Sequence, residues 1–240
     1  MPAVYLIPSL LAEEGLDTIP FYITDSIKEC QVFFAENERT TRRYFKQLWK
    51  KALPGQDIII DEYEWYTISA DTVETFKKKI KENKTIGIIS EAGCPGVADP
   101  GQELVAIAQQ LGVEIKPLVG PSSILLALMA SGMNGQQFQF CGYLPIDVAA
   151  RVKTIKQLEA ESAKKNSTQI FIETPYRNNQ LLESLLKTCA SSTLLCVAVD
   201  LSGKNESVKT KSIADWQKNK TDLHKRPAIF LLFAGHLSSD

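Results

Sequence analysis

The chain predicts an α/β protein of two domains, the first on a mostly parallel sheet and the second an α+β domain on a mixed sheet. Three observations lead there. Short β-branched runs alternate with helix-like stretches through the first half, the rhythm of a parallel sheet with crossover helices. Beyond about residue 118 the strand-like runs lengthen and their connections tighten, as antiparallel pairs in a mixed sheet allow. At 240 residues the chain has room for two cores of about 120 residues each. The expected domains are 1–118 and 119–240.

In chain order, residues 4–7, 31–35, 57–62, 85–90 and 113–118 are the expected strands of the first half. The best helix between them is 71–81, where Asp71 and Glu74 suit an N-terminal cap and Val73, Phe76 and Ile80 share one face. A second helix, 101–111, is opened by Asp99-Pro100. Gly120-Pro121-Ser122-Ser123 then starts an apolar helix ending at Gly132, with Pro121 suited to a first helical position. The second half follows as strand 138–143, a polar helix over about 149–165, strand 169–173, helix 179–187, and strands 194–201, 206–211 and 228–233.

Composition excludes several classes. Hydrophobic residues make up 44% and charged residues 23%, which is neither fibrous nor disordered. The net charge of -1 means that any RNA-binding surface must be local. No run reaches the roughly 18 to 20 apolar residues that span a bilayer, and the N-terminus lacks a leader pattern, so a cytoplasmic protein with no membrane partner is expected. Five cysteines without a CxxC pair fit reduced thiols, and two histidines exclude a His-rich metal centre. No metal site is expected.

GxGxxG, Walker A and GxGxG loops are all absent. Instead the fourth strand runs into Ser90-Glu91-Ala92-Gly93-Cys94-Pro95-Gly96-Val97-Ala98-Asp99-Pro100-Gly101, at the end of a parallel strand where ligands bind. Its glycines permit close backbone approach to a ligand; a rigid turn capped by Asp99 explains the same residues. Gly120-Pro121-Ser122-Ser123 falls at the domain junction. Glu173-Thr174-Pro175-Tyr176-Arg177 sets a carboxylate and a guanidinium four apart, which in isolation reads more readily as a surface ion pair than as a site. Ala35-Glu36-Asn37-Glu38-Arg39-Thr40-Thr41 leads into Arg42, Arg43, Lys46, Lys50 and Lys51 with Tyr44, Phe45 and Trp49 interleaved. That segment suits phosphate contact and base stacking, or an amphipathic helix that buries its aromatics, the reading these residues alone favour.

In this order the loops resemble the tetrapyrrole methylase family of S-adenosylmethionine-dependent methyltransferases, above all its branch that methylates a cytidine ribose 2′-hydroxyl in small-subunit ribosomal RNA. The branch's A-E-D-T-R-x-T is matched at 35–41, S-D-A-G-x-P…D-P-G at 90–101, G-P-S-A at 120–123, and E-x-P-H-R at 173–177. A-S-G-x…F-x-F-x-G-F-L-P is matched from Ala130 to Pro145, and the closing P-A-hydrophobic strand by Pro227-Ala228-Ile229. The likeness covers essentially the whole chain. It implies the two-domain tetrapyrrole methylase fold, a homodimer, and S-adenosyl-L-methionine as cofactor in the cleft between the domains. It also implies cofactor contacts from Pro8, Ser90, Ala92, Gly93, Cys94, Pro95, Ala98, Asp99, Ser122, Ser123, Thr174, Pro227 and Ala228.

Methyl transfer to a ribose oxygen needs the nucleophile held in line and an acceptor for its proton. Glu36 and Glu173 are the candidate acceptors, and Arg39 and Arg177 the groups that place phosphates or orient those carboxylates. Ribosomal RNA of the small subunit is the expected partner, through residues 39–51. The departures concern the substrate side: P-T-P-I-G-N is Pro8-Ser9-Leu10-Leu11-Ala12-Glu13 here, Asn37 and Tyr176 replace an aspartate and a histidine, and Val199 replaces the arginine of A-R-E-L-T-K. A small-molecule methyltransferase with a wide, arginine-lined cleft is one alternative reading. A non-catalytic S-adenosylmethionine-binding protein is the other.

Overall fold

A computed structural model describes residues 2–219 and 221–236. The chain forms two compact units, Met1–Ser122 and Ser123–Asp240.

The first unit carries strands β1 (Ala3–Ile7), β2 (Val32–Ala35), β3 (Glu64–Thr67), β4 (Ile86–Ile89) and β5 (Glu114–Pro117), in the order β3-β2-β4-β1-β5. Every pairing is parallel. Helices α1 (Ile23–Glu29), α2 (Glu38–Ala52), α3 (Val73–Lys81) and α4 (Gly101–Gln110) make the connections. Alternation along the strands sends Phe33 and Ile7 into one apolar layer with Phe45 and Leu48 of α2, and Phe34, Val4 and Ile88 into the other with Phe76 and Leu104. A Cβ on Gly87 would lie 2.5 Å from the Phe33 ring, so only glycine lets that ring lie across β4.

The second unit carries α5 (Ser123–Ser131), β6 (Phe138–Tyr143), α6 (Val148–Lys165), β7 (Thr168–Ile172), α7 (Asn178–Thr188), β8 (Leu194–Val199), β9 (Ser207–Ser212), α8 (Ile213–Gln217) and β10 (Ala228–Phe233). Its sheet order is β6-β7-β10-β8-β9. β6 and β7 are parallel, and the remaining pairs are antiparallel, the mixed sheet the sequence predicts. Phe171 and Phe230 stack at 6.1 Å inside a core completed by Ile155, Leu181 and Leu185.

Two expectations are corrected. Residues 57–62 form no strand: Ile60–Glu62 is a 3-10 turn, and the edge strand is Glu64–Thr67. Trp65 explains the shift, because its indole N–H donates to the Ile60 carbonyl at 3.0 Å and its ring lies 4.8 Å from that of Phe33. Tyr44, Phe45 and Trp49 are buried in the core, the amphipathic reading those residues favour, and this closes the α2 aromatics to stacking by a base. The helix after Pro121 begins at Ser123, leaving Gly120 and Pro121 in the loop that follows β5. Among the described residues no helix is long and apolar enough to cross a membrane.

Candidate functional site

In a parallel sheet all strands end on the same side, so the first unit brings the loops after β1, β2, β4 and β5 together. The loop after β4 is the most constrained. Ser90 is buried and its hydroxyl donates toward the carbonyls of Ala92 and Gly93, at 3.3 and 3.2 Å. Gly93 and Gly96 lie at positive φ, and Ala98 adopts φ 61°, a conformation that side chains disfavour and that concentrates at functional sites. Asp99 holds this shape: one carboxylate oxygen accepts from Gly96 N–H at 2.8 Å and the other from Gly101 N–H at 2.6 Å. Burial pushes the Asp99 pKa up. Asp99 is therefore a brace of the loop, which accounts for its place beside Gly96 and Gly101 in the sequence.

The neighbouring loops lock onto that brace. Ser9 N–H donates to the Gly93 carbonyl at 2.8 Å, and the buried Tyr44 hydroxyl donates to the Pro8 carbonyl at 3.0 Å. The Cys94 thiol approaches the Pro121 carbonyl at 3.5 Å, and burial raises its pKa. A Cβ on Gly120 would stand 2.1 Å from Pro8 Cβ. Pro8, Ser90, Ala92, Gly93, Cys94 and Pro95 thus share one end of the sheet with Glu36. The Glu36 carboxylate accepts from Glu91 N–H at 2.8 Å, and Asn37 donates to the Glu91 carboxylate at 3.3 Å while capping α2 through Thr40 N–H at 3.2 Å. A pocket of about 210 Å³ opens beside these loops, lined among others by Leu11, Glu13, Thr40, Arg43, Gln47 and Glu91. On α2 a groove of about 470 Å³ is lined by Arg39, Arg42, Arg43, Lys46, Gln47 and Lys50.

In the second unit Glu173, just past β7, is buried. Its Oε1 accepts from Arg177 Nη2 at 2.7 Å, Arg177 Nε at 3.0 Å and Thr174 N–H at 2.6 Å, and its Oε2 is buried without a partner among the described residues. Burial pushes the Glu173 pKa up, but the Arg177 guanidinium and the Thr174 amide more than offset it, so the group sits below the usual carboxylate range. The chain around Pro227 and Ala228 meets the same turn: Asn178 donates to the Arg226 carbonyl at 2.6 Å and Lys225 N–H to the Pro175 carbonyl at 3.0 Å. Arg226 in turn pairs with Asp200 at 2.7 Å. Ser122 closes the first unit and Ser123 opens α5. Sequence reasoning missed Asn178, Asp200 and Arg226, whose partners are 48 and 26 residues away and leave no local signature.

A lowered carboxylate pKa adds stability that is full above the unfolded value of about 4.3 and is lost as pH falls through the folded value. Acid unfolding of wild type should therefore steepen below about pH 4.3 through Glu173. In Glu173→Gln that limb flattens, and melting curves taken across this range check it.

The profile of the family described as Tetrapyrrole (Corrin/Porphyrin) Methylases matches residues 17–216. The chain belongs to the tetrapyrrole methylase family. Among its relatives, Ribosomal RNA small subunit methyltransferase I of Halalkalibacterium halodurans is 31% identical over 173 residues, covering 72% of this chain and 56% of the relative. The Vibrio cholerae protein of that name is 32% identical over 161 residues, covering 66% of this chain and 54% of the relative. The Buchnera aphidicola one is 26% identical, covering 97% and 78%. The chain thus spans little more than half the length of the first two relatives. Two solved structures share the fold: the methyltransferase CobJ, with TM-score 0.60, 15% identity and coverage of 97% of this chain and 94% of that one, and a uroporphyrin-III-C-methyltransferase from Thermus thermophilus, with TM-score 0.56, 14% identity and coverage of 98% and 95%. This tetrapyrrole methylase has the family's parallel first sheet and mixed second sheet.

Proposed function

We propose that this tetrapyrrole methylase is an S-adenosyl-L-methionine-dependent methyltransferase acting on small-subunit ribosomal RNA, at the ribose 2′-oxygen of a cytidine. The observation that supports it best is the basic groove on α2 opening next to the clustered loops of the first unit, on a chain whose relatives are named for that RNA. Phosphate recognition needs such a cationic track.

The loop after β4 fits the cofactor chemically. From Ser90 to Gly101 it holds no Lys or Arg and two carboxylates, which suits a cationic, phosphate-free ligand and not a nucleotide diphosphate. S-adenosyl-L-methionine, when bound, supplies an electrophilic methyl on a sulfonium. The main chain of Ala92, Gly93, Cys94, Pro95, Ala98 and Asp99 would hold it, with Pro8, Ser90 and Ser122 supporting; Ser123, Thr174, Pro227 and Ala228 are the second unit's proposed contacts. Glu36 is the better proton acceptor of the two carboxylates. It is half-buried and fixed by one amide, whereas Glu173 already carries an arginine that holds its pKa down and so weakens it as a base. Arg177 orients Glu173, and Arg39, exposed on α2, contacts phosphate. We place the protein in the cytoplasm as a homodimer.

The test is calorimetric titration with S-adenosyl-L-methionine, followed by transfer of a labelled methyl group to small ribosomal subunits and to their naked RNA. Micromolar donor binding and label in an alkali-resistant dinucleotide are expected. Absence of donor binding, or label in no RNA, would overturn the reading.

A further inference from the structure

The pocket beside the first-unit loops and the groove on α2 share two residues, Arg43 and Gln47, which stand one helical turn apart on the same face. The two hollows therefore adjoin on this face of α2. Along the groove Arg42 is paired with Asp61 at 2.9 Å and Arg43 with Glu13 at 3.0 Å. Arg39, Lys46 and Lys50 have no ion pair among the described residues, so three cations are free to meet phosphates.

At about 210 Å³ the pocket is smaller than the roughly 300–1,000 Å³ of a whole-ligand site and suits a single small base. Its polar lining is asymmetric. Glu91 and Glu13 only accept hydrogen bonds when ionised, while Arg43 only donates. Glu91 is held in place: its N–H is taken by Glu36 and Asn37 occupies Oε1, leaving Oε2 open among the described residues. A carboxylate facing the base favours cytosine, whose exocyclic amine donates, over uracil, which presents a carbonyl oxygen at that position. Such edge recognition is open to bases splayed from a single strand.

We infer that this pocket seats the acceptor cytosine, with Glu91 reading its exocyclic amine and Arg43 and Gln47 its carbonyl edge, while the strand's phosphates run along the groove toward Lys46 and Lys50. The inference rests on the RNA reading above and adds the identity of the groups that choose the base. It also ties choice to chemistry, because the main chain of the residue that reads the base is bonded to Glu36.

Fluorescence anisotropy with two labelled single-stranded RNA nonamers, differing only in a central C or U, tests it in the presence of S-adenosylhomocysteine. Wild type should prefer C by about tenfold. Glu91→Gln, which keeps an oxygen for Asn37 but can also donate, should bind both within about twofold, and Gln47→Ala on the exposed face of α2 should narrow the preference as well. Lys46→Ala/Lys50→Ala should weaken both RNAs equally and flatten the salt dependence. Equal binding of C and U by wild type, or an undiminished C preference in both Glu91→Gln and Gln47→Ala, would overturn the base pocket while leaving the RNA reading intact. Unchanged binding by the lysine variant would overturn the phosphate track. Wild type binding neither RNA at low salt would overturn the RNA reading and the pocket together.

Discussion

Glu36→Gln is expected to lower turnover by about 10²- to 10⁴-fold with donor affinity unchanged. The amide keeps the side chain's shape and retains an oxygen to accept the Glu91 N–H now bonded at 2.8 Å, so the local fold has no reason to move. What it loses is the ability to take a proton from a hydroxyl. The main chain holds the position as firmly, since Glu36 N–H donates to the Ile89 carbonyl at 2.9 Å, tying the end of β2 to that of β4. A kcat loss with unchanged KM, read under single-turnover conditions, would mark an interaction made only in the transition state. Turnover at the wild-type rate would remove Glu36 from the chemistry.

Gly120→Ala is expected to cost about 1–3 kcal/mol, lowering the melting midpoint by about 5 to 10 °C, and to weaken donor binding. The added methyl would fall 2.1 Å from Pro8 Cβ and 2.4 Å from Pro8 Cγ, and a proline ring cannot swing aside as a long side chain would. The loops after β1 and β5 must part, straining the Ser9–Gly93 bond at 2.8 Å. Gly135→Ala, where the same methyl meets nothing within 4 Å, is the neutral control. Equal melting of the two variants would show that the contact with Pro8 yields without cost.

Much of this architecture can be read from the chain because local pattern and final environment agree. Phe33 and Phe34 face opposite sides of one strand, and Val73, Phe76 and Ile80 recur at helical spacing, as their burial requires. Reading failed where a residue's partner lies far away. The Ile58-Ile59-Ile60 run has strand composition, but Trp65 takes the place beside Phe33 and pulls the preceding turn under itself. Ser90 to Gly101 announces a special loop through its glycines. The brace by Asp99 is equally legible, because its partners Gly96 and Gly101 lie three and two residues away; that Gly120 must be bare to admit Pro8 depends on a strand order no motif encodes.

The strand order of the first unit also sets a schedule for synthesis. β1 leaves the ribosome before the other strands of its sheet, yet it lies between β4 and β5, with Ala3 opposite Glu114 and Val4 opposite Ile86. At typical translation rates its two neighbours follow only after on the order of ten seconds. Through that interval Val4, Tyr5, Leu6 and Ile7 have no sheet to join. In the second unit β8 and β9 are chain neighbours that pair as a hairpin and β6 and β7 pair across one helix, so its early strands find a partner sooner, although β10 joins the two pairs last. The first unit, which carries the proposed base pocket, is therefore where nascent-chain aggregation would begin and where a chaperone would raise the yield of folded protein.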